Sequence, residues 1–124
     1  MAEALINHDL SNQWEAFSAG VEPAGAVNPR AIQVLQELSI DTHTLRSKSV
    51  DEFLDRDDLD LVVTVCDHAH ETCPIFPRPV KQIHVPFEDP YRYTNAPDEI
   101  ALPKYRETRD LISTQLLPLI RDFR

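Results

Sequence analysis

Leu61-Val-Val-Thr-Val65 is an unbroken run of apolar and β-branched side chains, with Asp60 before it and Cys66 after it. A strand with one wet face alternates polar and apolar residues; a strand covered on both faces does not, and such strands belong to parallel sheets sandwiched by helices. The run predicts a central strand of a parallel sheet. The flanking segments fit that frame. Met1 to about Ser11 reads as an uncapped helix, and Trp14-Glu-Ala-Phe-Ser18 as a short strand. Asn28-Pro29 supplies an N-cap followed by proline at the first helical position, opening a helix to about Leu38 with Ile32, Leu35 and Leu38 on one stripe. Ser49 can cap a short helix through Leu54, and Lys81–Val85 alternates as another strand. Helical spacing returns from Leu102 to about Leu117, where Pro118 should kink or end the helix. Strand and helix alternate throughout, the pattern of an α/β fold. At 124 residues and 42% hydrophobic content the expectation is one domain over residues 1–124.

Cys66 stands at the carboxyl end of the predicted central strand, where open α/β sheets place their chemistry. Cys73-Pro74 follows across a polar loop. The thiols admit three readings: a redox pair, a zinc site, or small buried hydrophobes. A zinc site would take Cys66, His68, His70 and Cys73, four ligands within eight residues, which is tighter than the usual two knuckles. A close pair in a reducing compartment is transient and catalytic more often than structural, so the redox pair is favoured and no metal is assigned. A net charge of −9 argues against a nucleic-acid surface, which needs clustered Lys and Arg. No apolar run approaches the ~20 residues of a membrane span. The opening residues lack the basic start of a signal peptide, and a cytoplasmic location is expected.

Several blocks occur in a familiar order: Met1-Ala-Glu-Ala4, Ser18-Ala-Gly-Val-Glu-Pro-Ala-Gly25, Val27-Asn-Pro-Arg-Ala-Ile32, Arg46-Ser-Lys-Ser49, Leu61-Val-Val-Thr-Val-Cys-Asp-His-Ala69, Cys73-Pro74 and Pro86-Phe-Glu-Asp-Pro90. Together they resemble the arsenate reductases of the low-molecular-weight protein tyrosine phosphatase superfamily. The resemblance implies a three-layer α/β/α fold with a small parallel sheet. It also implies a cysteine relay that reduces arsenate to arsenite. Cys66 then resembles the thiol that displaces arsenite by forming a disulfide with the nucleophilic cysteine. Cys73 resembles the thiol that attacks that disulfide and leaves a Cys66–Cys73 bridge for thioredoxin or another thiol reductant. Asp89 resembles the general acid. Tyr91 and Tyr93 after Asp89-Pro90 are more typical of the phosphatase branch, where tyrosine flanks an aryl phosphate. Glu3 and Ser18 match positions that help hold potassium in some relatives. Arg46-Ser-Lys-Ser49 reads as a surface turn with a helix cap.

The family's nucleophile lies in a loop of form Cys-x5-Arg, after a first strand and ahead of the segment matching Met1-Ala-Glu-Ala4. Counting from Cys66 the arginine position holds Thr72, and from Cys73 it holds Pro79. The only glycines are Gly20 and Gly25, neither in a plausible phosphate cradle. The expectation is a chain truncated at its N-terminus, missing a strand between those near Phe17 and Val63. Its exposed edges would invite a strand-swapped homodimer. Three functional readings result: thioredoxin-coupled arsenate reductase, low-molecular-weight tyrosine phosphatase, and a non-catalytic remnant acting in binding or disulfide exchange.

Overall fold

Helix α1 (Ala2–Asp9) buries its first full turn, Glu3, Ala4, Leu5 and Ile6, and exposes its last residues, Asn7, His8 and Asp9. The computed structural model describes residues 1–19, 28–65 and 79–123. Helix α2 (Pro29–Gln36) begins as its sequence requires: the Asn28 side chain accepts the Arg30 N–H at 2.9 Å and Pro29 takes a position that needs no donor. It ends two residues earlier than its apolar stripe suggests. Ser39 adopts φ 59° and the Ile40 N–H reaches back to the Leu35 carbonyl at 3.3 Å, a left-handed stop with an apolar contact between the buried Leu35 and Ile40. Leu38 is therefore 45% exposed, and Val34 takes its expected place in the interior.

Strands β1 (Val62–Thr64) and β2 (Gln82–His84) are parallel, with Val62 opposite Gln82, Val63 opposite Ile83 and Thr64 opposite His84. A single 3-10 turn, Val50–Phe53, precedes β1, capped by the Ser49 hydroxyl on the Asp51 N–H at 3.2 Å. Another, Pro90–Tyr93, comes after β2. Helix α3 (Asp98–Leu111) starts four residues before the expected Leu102, because Pro97 and the acids Asp98 and Glu99 form its first turn. Pro118 neither ends nor sharply breaks the C-terminal helical segment. Proline cannot donate to the Thr114 carbonyl and its ring would press on it, so the helix widens into a π-turn at Ile112–Leu116 and resumes as α4 (Leu117–Arg121). Among the described residues no helix is long and apolar enough to cross a membrane.

The core joins Leu5, Ile6 and Leu10 to Leu35, Ile40, Phe87, Ile112, Leu116, Leu117 and Ile120. Each fully buried Leu or Ile contributes about 1.5–3 kcal/mol relative to exposure. Buried Arg109 fastens α3 to α2, donating to the Val34 carbonyl at 2.8 Å and to Glu37 at 3.0 Å. Arg106 and then Arg109 hold the Glu37 carboxyl below its ordinary range. A depressed carboxylate stabilises the fold above its unfolded-state pKa, and that contribution is lost as pH falls through the folded value.

One expectation about the sheet is corrected. Residues 14–19 form no ladder; Ala16 and Ser18 bond instead to side chains of α1. Asn7 receives the Ala16 N–H at 2.8 Å and returns a bond to the Ala16 carbonyl at 3.0 Å, imitating a neighbouring strand. The Leu61–Val65 run reads as central, yet among the described residues β1 pairs with β2 alone, which leaves the edge near Val63 open as expected where a strand is missing; its side chains are only half buried. Its other edge faces a cleft.

Candidate active site

A cleft of about 510 Å³ separates residues 14–19 from β1. Its floor is apolar, built by Ile6, Ile112, Leu116 and Ile120, and its mouth carries Glu88, Asp89 and Pro90. The Ala16 N–H and carbonyl and the Ser18 N–H bond to side chains of α1, and Glu15 and Phe17 are among the residues that line the cleft. Backbone groups in extended chain point alternately to the two sides. Across the gap Val62 and Thr64 bond toward β2, so Val63 faces the cleft likewise. No backbone hydrogen bond joins the two walls among the described residues. Phe17, 44% exposed, packs tilted against Phe53 with ring centroids 5.8 Å apart and the Arg56 guanidinium 4.8 Å above the Phe17 ring.

The carboxyl ends of both strands meet at the mouth. The Phe87 N–H donates to the Val65 carbonyl at 3.0 Å, drawing the chain after β2 toward the end of β1. That bond sets Asp89 near the residue that precedes Cys66. Asp89 itself caps the Pro90–Tyr93 turn, its Oδ1 accepting the Tyr91 N–H at 2.9 Å. One carboxylate oxygen is thus oriented by the backbone while the residue stays exposed. Burial first, and the Asp89 charge second, push the Tyr105 hydroxyl above its ordinary pKa. Tyr91 is 55% exposed beside Asp89. Cys66, Cys73, His68 and His70 lie outside the described residues, so neither the redox pair nor the zinc alternative is addressed by this geometry.

Glu3 and Ser18, expected to hold potassium, do come together. Glu3 Oε1 accepts the Ser18 N–H at 2.6 Å and the Ser18 hydroxyl at 3.0 Å. The same oxygen receives a third donor, the Lys48 ammonium at 3.1 Å, with the two side chains only 5% and 7% exposed. A tethered cation, the Lys48 ammonium, thus shares Glu3 Oε1 with the two Ser18 donors. Lys48 also donates to the Arg46 carbonyl at 3.4 Å. The Arg46–Ser49 stretch is thus a surface turn only in part. Arg46 does face solvent and pairs with Glu52 at 2.7 Å, but Lys48 turns inward. Nothing local in the sequence marks it, since its partner is in α1. Among the described residues no group of three or more His, Cys, Asp or Glu could hold a metal.

The sequence profile described as low molecular weight phosphotyrosine protein phosphatase matches residues 1–123. Arsenate reductase 1 of Bacillus cereus is 40% identical over 116 residues, which cover 87% of this chain and 84% of that protein. The arsenate reductase of Halalkalibacterium halodurans is 35% identical, over 94% of this chain and 81% of its own length. The crystal structure of the arsenate reductase from Archaeoglobus fulgidus superposes with a TM-score of 0.63 at 30% identity, covering 90% of this chain and 87% of that one. An arsenate reductase in its reduced state superposes with a TM-score of 0.74 over 99% of this chain and 87% of its own, and at 23% identity that likeness speaks for the fold alone.

Proposed function

The chain belongs to the low molecular weight phosphotyrosine protein phosphatase family, and on that premise we propose that it is an arsenate reductase-like protein contributing the relay thiols and the acid of the reaction. Arsenate first forms an arsenic–sulfur bond with a nucleophilic cysteine held in an anion cradle, and Asp89 gives a proton to the leaving oxygen. The Cys66 thiolate then attacks that sulfur. The arsenic–sulfur bonding pair stays on arsenic, which departs as arsenite, and a disulfide forms between the nucleophile and Cys66. The Cys73 thiolate attacks Cys66, releasing the nucleophile as thiolate and leaving Cys66–Cys73. A thioredoxin dithiol, in a reducing cytoplasm, returns the pair to thiols. Each exchange needs a thiolate attacker and an accessible sulfur.

The observation that carries this reading is the Phe87 to Val65 hydrogen bond, which brings Asp89 to the end of the strand that leads into Cys66. A tyrosine phosphatase is the second reading, favoured by the exposed Tyr91 ring next to the same acid. The paired thiols discriminate, since phosphoryl transfer has no use for them. Oxidation with diamide should close Cys66–Cys73 within one chain, and thioredoxin with its reductase should then consume about one NADPH per chain. Cys66→Ser and Cys73→Ser should each abolish that consumption. Two thiols persisting after oxidation, or bridges found only between chains, would sink the relay.

The cleft has the form of a slot for one strand, with an apolar floor and, among the described residues, no backbone hydrogen bond between its walls. An extended apolar segment leading into a Cys-x5-Arg loop is the occupant that would place a nucleophile beside Asp89. Residues 1–124 without that segment should self-associate by exchanging strands or pack loosely, because Leu61–Val65 carries no charge to blunt its edge. Sedimentation as a compact monomer, with cooperative thermal unfolding, would contradict this account.

A further inference from the structure

We propose that Arg30 is the positioning residue for the loop that carries Asp89. The proposal rests on the reading of Asp89 as the acid and deepens it. Arg30 sits in the first turn of α2, directly after Pro29, and its own N–H is held by the Asn28 cap at 2.9 Å. Its guanidinium leaves the helix and crosses into the segment after Asp89. Nε donates to Asp98 Oδ1 at 2.9 Å, Nη1 to the Tyr93 and Thr94 carbonyls at 3.0 and 3.3 Å, and Nη2 to the Ala96 carbonyl at 2.7 Å. All three nitrogens are engaged, and the side chain is only 19% exposed. A planar fork can serve several carbonyls at once in a way that a lysine point charge cannot.

The loop needs such an anchor. Between Asp89 and α3 it holds itself by short-range bonds: Tyr91 N–H to Asp89, Thr94 N–H to Tyr91 and Ala96 N–H to Tyr93. A single 3-10 turn has poor hydrogen-bond geometry and little cooperativity. Upstream, the loop is fixed by the Phe87 to Val65 bond. Downstream, the Arg30 fork ties it to α2. The ion pair with Asp98 adds little, because Asp98 is 68% exposed and solvent screens it. The carbonyl contacts are what set the path of the chain. Asn28 reinforces them from the same turn, donating from Nδ2 to the buried Tyr105 hydroxyl at 2.9 Å. The N-terminus of α2 thus grips both the acid loop and α3.

Amide hydrogen exchange, read by NMR on the wild-type chain and on Arg30→Met and Arg30→Lys, tests this. Arg30→Met should speed exchange at Tyr91, Thr94 and Ala96 by about tenfold or more, the effect of losing charge-assisted hydrogen bonds from a locally opening segment. Amides of Leu5 and Arg109 should change by less than about twofold, since they report the core rather than the loop. Arg30→Lys should give exchange rates between those of wild type and Arg30→Met. Wild-type exchange at Tyr91 and Thr94 in Arg30→Met overturns the proposal, as does uniform acceleration of every amide. Should Arg30→Met not fold, Arg30→Lys decides: intermediate exchange supports the proposal and wild-type exchange overturns it. Asp89→Asn keeps an acceptor for the Tyr91 N–H and loses the proton. Full arsenate turnover by Asp89→Asn, in a protein supplied with a Cys-x5-Arg segment, would remove the acid reading and leave the exchange result for Arg30 standing.

Discussion

Lys48→Met is expected to lower the unfolding free energy by about 3–5 kcal/mol, the cost of leaving one partner of a buried ion pair uncompensated. Glu3 Oε1 collects three donors, two from Ser18 and one from Lys48, in a site where the two ionic side chains are 5% and 7% exposed. Methionine preserves the volume of the lysine stem and removes the charge. Against a total stability of about 5–15 kcal/mol for a domain, the loss would leave a detectable unfolded population. Glu3→Gln combined with Lys48→Met should recover most of it, because neutralising both partners leaves no buried charge. The double-mutant cycle isolates the pair from the helix that carries Glu3. The same series reads the cation question. Potassium chloride should not stabilise the wild-type protein beyond choline chloride, whereas Lys48→Met has vacated a cation position and should be stabilised by potassium through mass action. Denaturant unfolding of the four proteins in the two salts is the measurement. A Lys48→Met variant within about 1 kcal/mol of wild type would mean that the buried pair is not what the geometry says it is.

The elements that are legible in the sequence are those specified within a few residues. Asn28-Pro29 starts α2 and Ser49 caps the 3-10 turn because a cap acts on an amide two residues away. Leu61–Val65 contains β1, since a β-branched run has few alternatives. The features that escape a local reading are long-range. Lys48 looks like part of a polar turn until Glu3, 45 residues earlier, is brought against it. Arg30 looks like an ordinary helix residue until carbonyls 63 to 66 residues later close around it. The stretch at 14–19 has strand-like residues, yet its Ala16 and Ser18 backbone groups bond to α1 side chains rather than to a neighbouring strand. Pro118 reads as a kink or a stop, because local rules allow little else. The π-turn that absorbs it carries Ile112 and Leu116, both buried in the core, so packing keeps the helix running. At the site, the position of Asp89 at the mouth depends on the Phe87 to Val65 bond just past β1 and on the Arg30 fork, neither of which a local pattern encodes.

Purified residues 1–124 are expected to show no arsenate-dependent NADPH oxidation with thioredoxin and its reductase, and no hydrolysis of an aryl phosphate. Attack on a tetrahedral oxyanion needs a nucleophile held among backbone N–H donors and a cation that bind the charge as it shifts, and each such donor is worth about 10²–10³ in rate. Within this sequence the two thiols are Cys66 and Cys73, and the residues six positions on are Thr72 and Pro79, where an arginine would be needed. Each thiol therefore lacks the cradle, and the loss of several donors together puts turnover at least about 10⁴-fold below that of a complete site. An extended apolar segment ending in Cys-x5-Arg, fused ahead of Met1, should occupy the cleft between Phe17 and Val63 and restore arsenate reduction. Restoration should depend on Cys66, Cys73 and Asp89 alike, since the added loop supplies the nucleophile but neither the relay nor the proton. It should also convert a self-associating chain into a monomer, because the same segment pairs both open edges. Arsenate turnover by residues 1–124 above a Cys66→Ser, Cys73→Ser control would mean that one of these thiols attacks the oxyanion directly. Restored activity that survives Cys66→Ser would instead leave the acid and the fold in place while removing the relay.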